Sequence, residues 1–151
     1  MATIRERLDA DLKDAMRAKD ELKTSVIRMA KSAIKYKEVE ATNKVLDEAG
    51  ILNVLTTMLK QRRDSIEQYR AGNRADLAEK EEKEVVLIQG YLPTQLSAAE
   101  LSAEIAKAVS EAAAKGPKDM GSVMKIVTPR LKGKAEGKLI SDEVKAQLAK
   151  L

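Results

Sequence analysis

A chain of 151 residues with 28 Lys and Arg against 24 Asp and Glu, and with no Cys, His, Trp or Phe, has few chemistries open to it. Without Cys or His there is no disulfide framework, no thiolate nucleophile, no zinc-ligand set and no imidazole base, so no catalytic residue, metal or cofactor is expected. The wealth of Ala, Leu, Lys, Glu and Gln predicts an all-α protein, and the length allows one thin-cored domain or two small ones.

Thr3-Ile4-Arg5-Glu6 has the pattern of a capping box and opens a helix over 4–18 with Ile4, Leu8, Leu12 and Met16 on one face. Asp20 caps a second helix, expected to reach Ala41, with the apolar stripe Leu22, Val26, Met29, Ala33 and Tyr36. After Thr42-Asn43, the series Ile51, Leu55, Met58, Arg62, Ile66 and Tyr69 marks a long third helix ending at Gly72 in the left-handed conformation. Leu77, Glu81, Val85, Ile88 and Tyr91 trace a fourth, stopped by Pro93. Arg62 falls on the apolar stripe and predicts an ion pair with Glu81 or Glu84, whereas the acid-rich run 79–84 reads as a solvated helix face.

The Leu92-Pro93 pair is the strongest punctuation in the chain. It predicts an N-terminal helical domain, 1–92, of about four helices, followed by a three-helix tail domain, 93–151. In the tail, Ser97-Ala98-Ala99-Glu100 is a second capping box for a helix that ends at Gly116-Pro117. The next helix, over 119–131, should be kinked or ended early by Pro129, and Ser141 is placed to cap a short last helix bearing Val144, Leu148 and Leu151.

Charge is uneven along the chain. Residues 1–92 hold 18 cations and 17 acids, residues 93–151 hold 10 and 7, and the stretch 117–138 holds six and two. Such a local excess is an electrostatic footprint for a polyanion. Lys125, Arg130, Lys132, Lys134 and Lys138, gathered around Gly133 and Gly137, are therefore the candidate nucleic-acid-binding residues, with amides freed by helix breaks suited to phosphate oxygens. The competing reading is a turn whose glycines take positive φ and whose lysines keep it soluble; residue types alone leave both open. Asp9 and Asp11 fall where an apolar leader would lie, and the longest aliphatic run is Val85-Val86-Leu87-Ile88, so a cytoplasmic protein with no membrane partner is expected.

Several motifs together carry a resemblance: Asp11-Leu12-Lys13-Asp14-Ala15-Met16, Val26-Ile27-Arg28-Met29, Lys31-Ser32-Ala33-Ile34, Lys60-Gln61-Arg62-Arg63-Asp64-Ser65, the run from Gly72 to Glu81, and Tyr91-Leu92-Pro93 with Gln95-Leu96-Ser97. With these the chain resembles the YqeY family, small bacterial proteins related to the C-terminal tail of the B subunit of the glutamine-dependent aspartyl/glutamyl-tRNA amidotransferase. Met120-Gly121, Val123-Met124-Lys125 and Lys132-Gly133-Lys134-Ala135 match the tail itself, but Glu136-Gly137 replaces the Asn-Pro pair usual in the amidotransferase. The resemblance implies a tRNA-binding accessory module linked to a carbon-nitrogen ligase with glutamine as amido donor. The ligase's catalytic domains lie outside the matched region, so no autonomous activity is implied. tRNA is then the expected partner, and amidotransferase subunits or another protein the expected protein partners. The alternative is a protein-interaction adaptor with no nucleic-acid role, in which the N-terminal bundle docks on its partner. With only Tyr36, Tyr69 and Tyr91 for stacking, any RNA would be recognised by shape and charge.

Overall fold

In the computed structural model, which describes residues 2–151, the chain forms seven α-helices and one 3₁₀ turn, with no strand among the described residues. It divides into two compact units, the first ending at Leu92 and the second being Pro93–Leu151. No described helix is long and apolar enough to cross a membrane.

The first unit holds α1 (Ile4–Arg17), α2 (Glu21–Glu40), α3 (Glu48–Ala71) and α4 (Ala75–Gln89). Thr3 and Glu6 form the complete capping box of α1, and Asp20 and Asp47 accept from the amides of Lys23 and Gly50 to start α2 and α3. The core joins Leu8, Ile27, Ile51, Leu55 and Ile88, all fully buried. Met16, expected on the buried face of α1, lies in solvent, and Ala15 is buried instead.

On α2 the buried face is Val26, Ile27, Ala30 and Ile34; Leu22 and Ala33 are half-buried, while Met29 and Tyr36 point outward. The expected stripe is thus rotated around the helix. Two stripes at helical spacing coexist there, and the one with two isoleucines removes more apolar surface from water when it turns inward.

The left-handed residue after α3 is Asn73 (φ 58°), not Gly72 (φ −89°). Asn73 N–H donates to Arg70 O and Arg74 N–H to Tyr69 O, the paired bonds of a Schellman motif, and asparagine tolerates this conformation. The same motif ends α1 at Lys19 (φ 56°).

Polar contacts tie the helices of this unit together. Glu38, buried at the end of α2, accepts from Arg5 at 2.6 Å and from the Leu46 amide at 2.9 Å, and Glu48 accepts from the Ile4 amide. Tyr91 donates to Asp11, its ring lies under the Arg7 guanidinium, and Arg7 donates to Gly90 O. Burial, followed by the Asp11 carboxylate, holds the Tyr91 hydroxyl well above the usual phenol range.

Arg62 meets Glu84, one of the two partners the sequence predicts, with both side chains nearly buried. Its Nε lies 3.4 Å from Glu84 Oε2, within ion-pair range but poorly aligned, so Nε makes no hydrogen bond. Glu81 stands beside this pair, and its carboxyl is pushed up first by burial and then by Glu84.

The second unit holds α5 (Ala98–Glu111), the 3₁₀ turn Pro117–Asp119, α6 (Met120–Leu131) and α7 (Gly137–Ala149) around Ile105, Val123, Val127, Val144 and Leu148. Ser97 and Glu100 form the expected capping box of α5. Pro129 does not shorten α6, which continues to Leu131; it lies exposed in the last turn. Ser141 is not a cap, because α7 starts four residues earlier. That start lets Ile140, Val144 and Leu148 share one buried face, which a helix beginning after Ser141 would break up.

Candidate nucleic-acid interface

The basic stretch is built on a type II turn. Lys132 (φ −55°, ψ 122°) and Gly133 (φ 77°) are its central residues, closed by Lys134 N–H donating to Leu131 O at 2.9 Å. The third position of such a turn requires positive φ, and this is the physical reason for Gly133. The turn is held from outside as well. Gln95 Nε2 donates to Gly133 O at 2.6 Å and to Pro93 O at 2.9 Å, and the Leu96 amide donates to Lys134 O at 2.9 Å. Gly133 is consequently buried, while Lys132 and Lys134 on either side of it are exposed.

Gly137 has a different role from the one expected: it is the first residue of α7, exposed and without positive φ. Glu136 occupies the N-cap position without a side-chain cap, and the first bond of the helix runs from Ile140 N–H to Glu136 O. The amides of Gly137, Lys138 and Leu139 therefore lead the helix, at the end where its dipole favours anions. Lys138 is exposed in this first turn, and Lys125 is exposed on α6.

Arg130 is engaged elsewhere. It donates to Glu111 at 2.6 Å across α5 and α6, and that carboxylate raises its pKa further. Its charge is balanced within the unit, and the other four candidate cations, Lys125, Lys132, Lys134 and Lys138, all lie exposed. Glu111 and Gln95 are the residues that sequence reasoning missed in this role, since no local pattern announces a partner 19 or 38 residues away. Among the described residues, no group of His, Cys, Asp and Glu could hold a metal ion.

Comparisons with known proteins follow this architecture. The profile of a family described as Yqey-like protein matches residues 5–148. Three yeast relatives are each named altered inheritance of mitochondria protein 41, mitochondrial. The one from Lachancea thermotolerans is 43% identical over 107 residues, 69% of this chain and 57% of the relative. That from Vanderwaltozyma polyspora is 48% identical over 85 residues, 56% of this chain and 46% of the relative. That from Kluyveromyces lactis is 34% identical over 145 residues, 94% of this chain and 74% of the relative. The chain thus spans roughly half the length of the first two.

The expected cytoplasmic location is corrected by these names, which are those of mitochondrial proteins. The inference rested on a charged start and the lack of a long aliphatic run, and neither feature separates the cytoplasm from the interior of a mitochondrion. With the profile covering nearly every helix and the Kluyveromyces relative aligned along almost the whole chain, the protein belongs to the Yqey-like family.

Proposed function

We propose that the chain is a tRNA-binding accessory module that applies the basic turn of its second unit to the phosphate backbone of folded tRNA, in support of glutamine-dependent tRNA amidation by other subunits. One observation carries the reading: Lys132 and Lys134 stand exposed on a turn in which the Gly133 and Lys134 carbonyls are already bonded to Gln95 and Leu96. Cations on a braced turn lose less freedom on meeting a phosphate than cations on a loose loop. Lys125, Lys138 and the leading amides of α7 extend the same chemistry, and the resemblance of this segment to the amidotransferase tail supplies the choice of polyanion. The unit has no Tyr, so the contact is to backbone and shape rather than to stacked bases.

The test is a titration of folded tRNA against salt, with duplex DNA of equal length as competitor. Binding is expected to weaken steeply with salt and to favour tRNA. The triple variant Lys132→Ala, Lys134→Ala, Lys138→Ala should bind less tightly and flatten the slope of log K against log salt by roughly 0.7–0.9 per lost contact. An unchanged slope in the triple variant removes the turn from the mechanism.

A further inference from the structure

We propose that the solvent face of α2, in the first unit, is a docking surface for an acidic amphipathic helix of a partner protein. This site lies in a different unit from the basic turn and stands independently of the tRNA reading. The face is periodic. Ser25 and Ser32, Met29 and Tyr36, and Arg28 and Lys35 each recur after seven residues, and Val39 continues the serine row. Met29, Tyr36 and Val39 are 39%, 66% and 54% exposed, an apolar series left over once the isoleucine face of the same helix has turned inward.

A seven-residue repeat of small and large side chains is the relief that a second helix fits, its large side chains entering above the serines. An open hollow of approximately 500 Å³, lined by Glu21, Thr24, Ser25, Arg28, Met29 and Ser32, lies along the first half of the stripe. At its rim Arg62 of α3 donates to Met29 Sδ, and Arg28 to Met16 Sδ of α1.

Charge selects the occupant. Among the described residues, neither Arg28 nor Lys35 lies in an ion pair with an acid, although Lys31 beside them pairs with Asp9 and Lys37 with Glu40. Arg28 and Lys35 lie seven residues apart, about 10.5 Å along the axis; Lys35 acts at longer range on Glu38, which Arg5 already pairs, and the two outnumber Glu21 on this face, so they match carboxylates at the same spacing on a partner helix. Two-fold pairing of this face with a second copy of the chain, centred between residues 31 and 32 on the middle of the stripe, would instead set Arg28 near Lys35, like against like. A nucleic-acid backbone would leave Met29, Tyr36 and Val39 without an apolar partner, which the apolar stripe of an amphipathic helix supplies.

The test uses the whole chain and a labelled three-heptad helical peptide with Leu and Ile on one stripe and Glu at seven-residue spacing beside it, against a twin with Lys for Glu. Fluorescence anisotropy should show the acidic peptide binding at least tenfold more tightly than its twin. The double variant Arg28→Glu, Lys35→Glu should reverse that preference, and Tyr36→Ser should weaken both pairings. Reversal is a readout that a misfolded variant cannot produce. Equal binding by wild type and double variant, self-association abolished by Tyr36→Ser, or tRNA affinity lost in the double variant would each overturn the proposal.

Discussion

Two residues of the second unit hold the same left-handed conformation with opposite consequences. Gly133 (φ 77°) suits its position in the type II turn, whereas Ala113 (φ 51°) takes the left-handed place in the Schellman motif that ends α5. A left-handed L-residue costs roughly 1–2 kcal/mol, and the extra unfolded freedom of glycine gives back roughly 0.5–1 kcal/mol of that. Ala113→Gly should therefore stabilise the chain by about 0.5–1 kcal/mol in urea unfolding. Gly133→Val should destabilise it by about 1–3 kcal/mol, since a β-branched side chain is strained at this φ. A neutral Gly133→Val would mean that the turn relaxes without loss.

At the scale of elements, Glu38 is where three helices are joined, bonding Arg5 of α1 and the Leu46 amide just ahead of α3 from its place in α2. The Leu46 hydrogen bond, outweighing the opposing effect of burial and aided by Arg5, holds its carboxyl below the usual carboxylate range. A lowered folded-state pKa contributes stability that is complete above the unfolded value and is lost as pH falls through the folded one. Thermal unfolding followed from pH 6 to pH 2.5 should show wild type losing more stability than Glu38→Gln. Parallel curves would show that the carboxylate charge does not matter to this junction.

Across the whole molecule, resistance to opening should be uneven. The connection between α2 and α3 is exposed from residue 41 to 45, carries left-handed Thr42 (φ 58°) and Asn43 (φ 62°), and has only short-range backbone bonds ahead of Leu46. The basic turn offers lysines to the same protease, but its carbonyls are bonded to Gln95 and Leu96. Limited trypsin digestion should cut first after Lys44, ahead of Lys132 and Lys134, because cleavage needs a locally opened segment. First cuts at Lys132 or Lys134 would show that the Gln95 clamp is weak. If the proposed function holds, added tRNA should slow those two later cuts and leave Lys44 unaffected.

What the sequence determined by itself is what short-range physics controls. The caps at Thr3, Asp20 and Ser97 were legible because a side-chain oxygen reaches an amide only three residues ahead, and the all-helical class because propensity adds up over each segment. That Arg62 pairs with an acid of α4 was legible too, since a guanidinium on an apolar stripe has few places to go, but the choice of Glu84 over Glu81 was not. Tertiary structure alone decided the rest. Of two apolar stripes on α2, burial took the one that its neighbours could cover, and the other was left facing solvent. Ile140 drew the start of α7 back to Gly137, and Glu111 claimed Arg130 from the basic cluster. Each outcome depends on a segment distant in the chain, whose position exists only once the helices have packed.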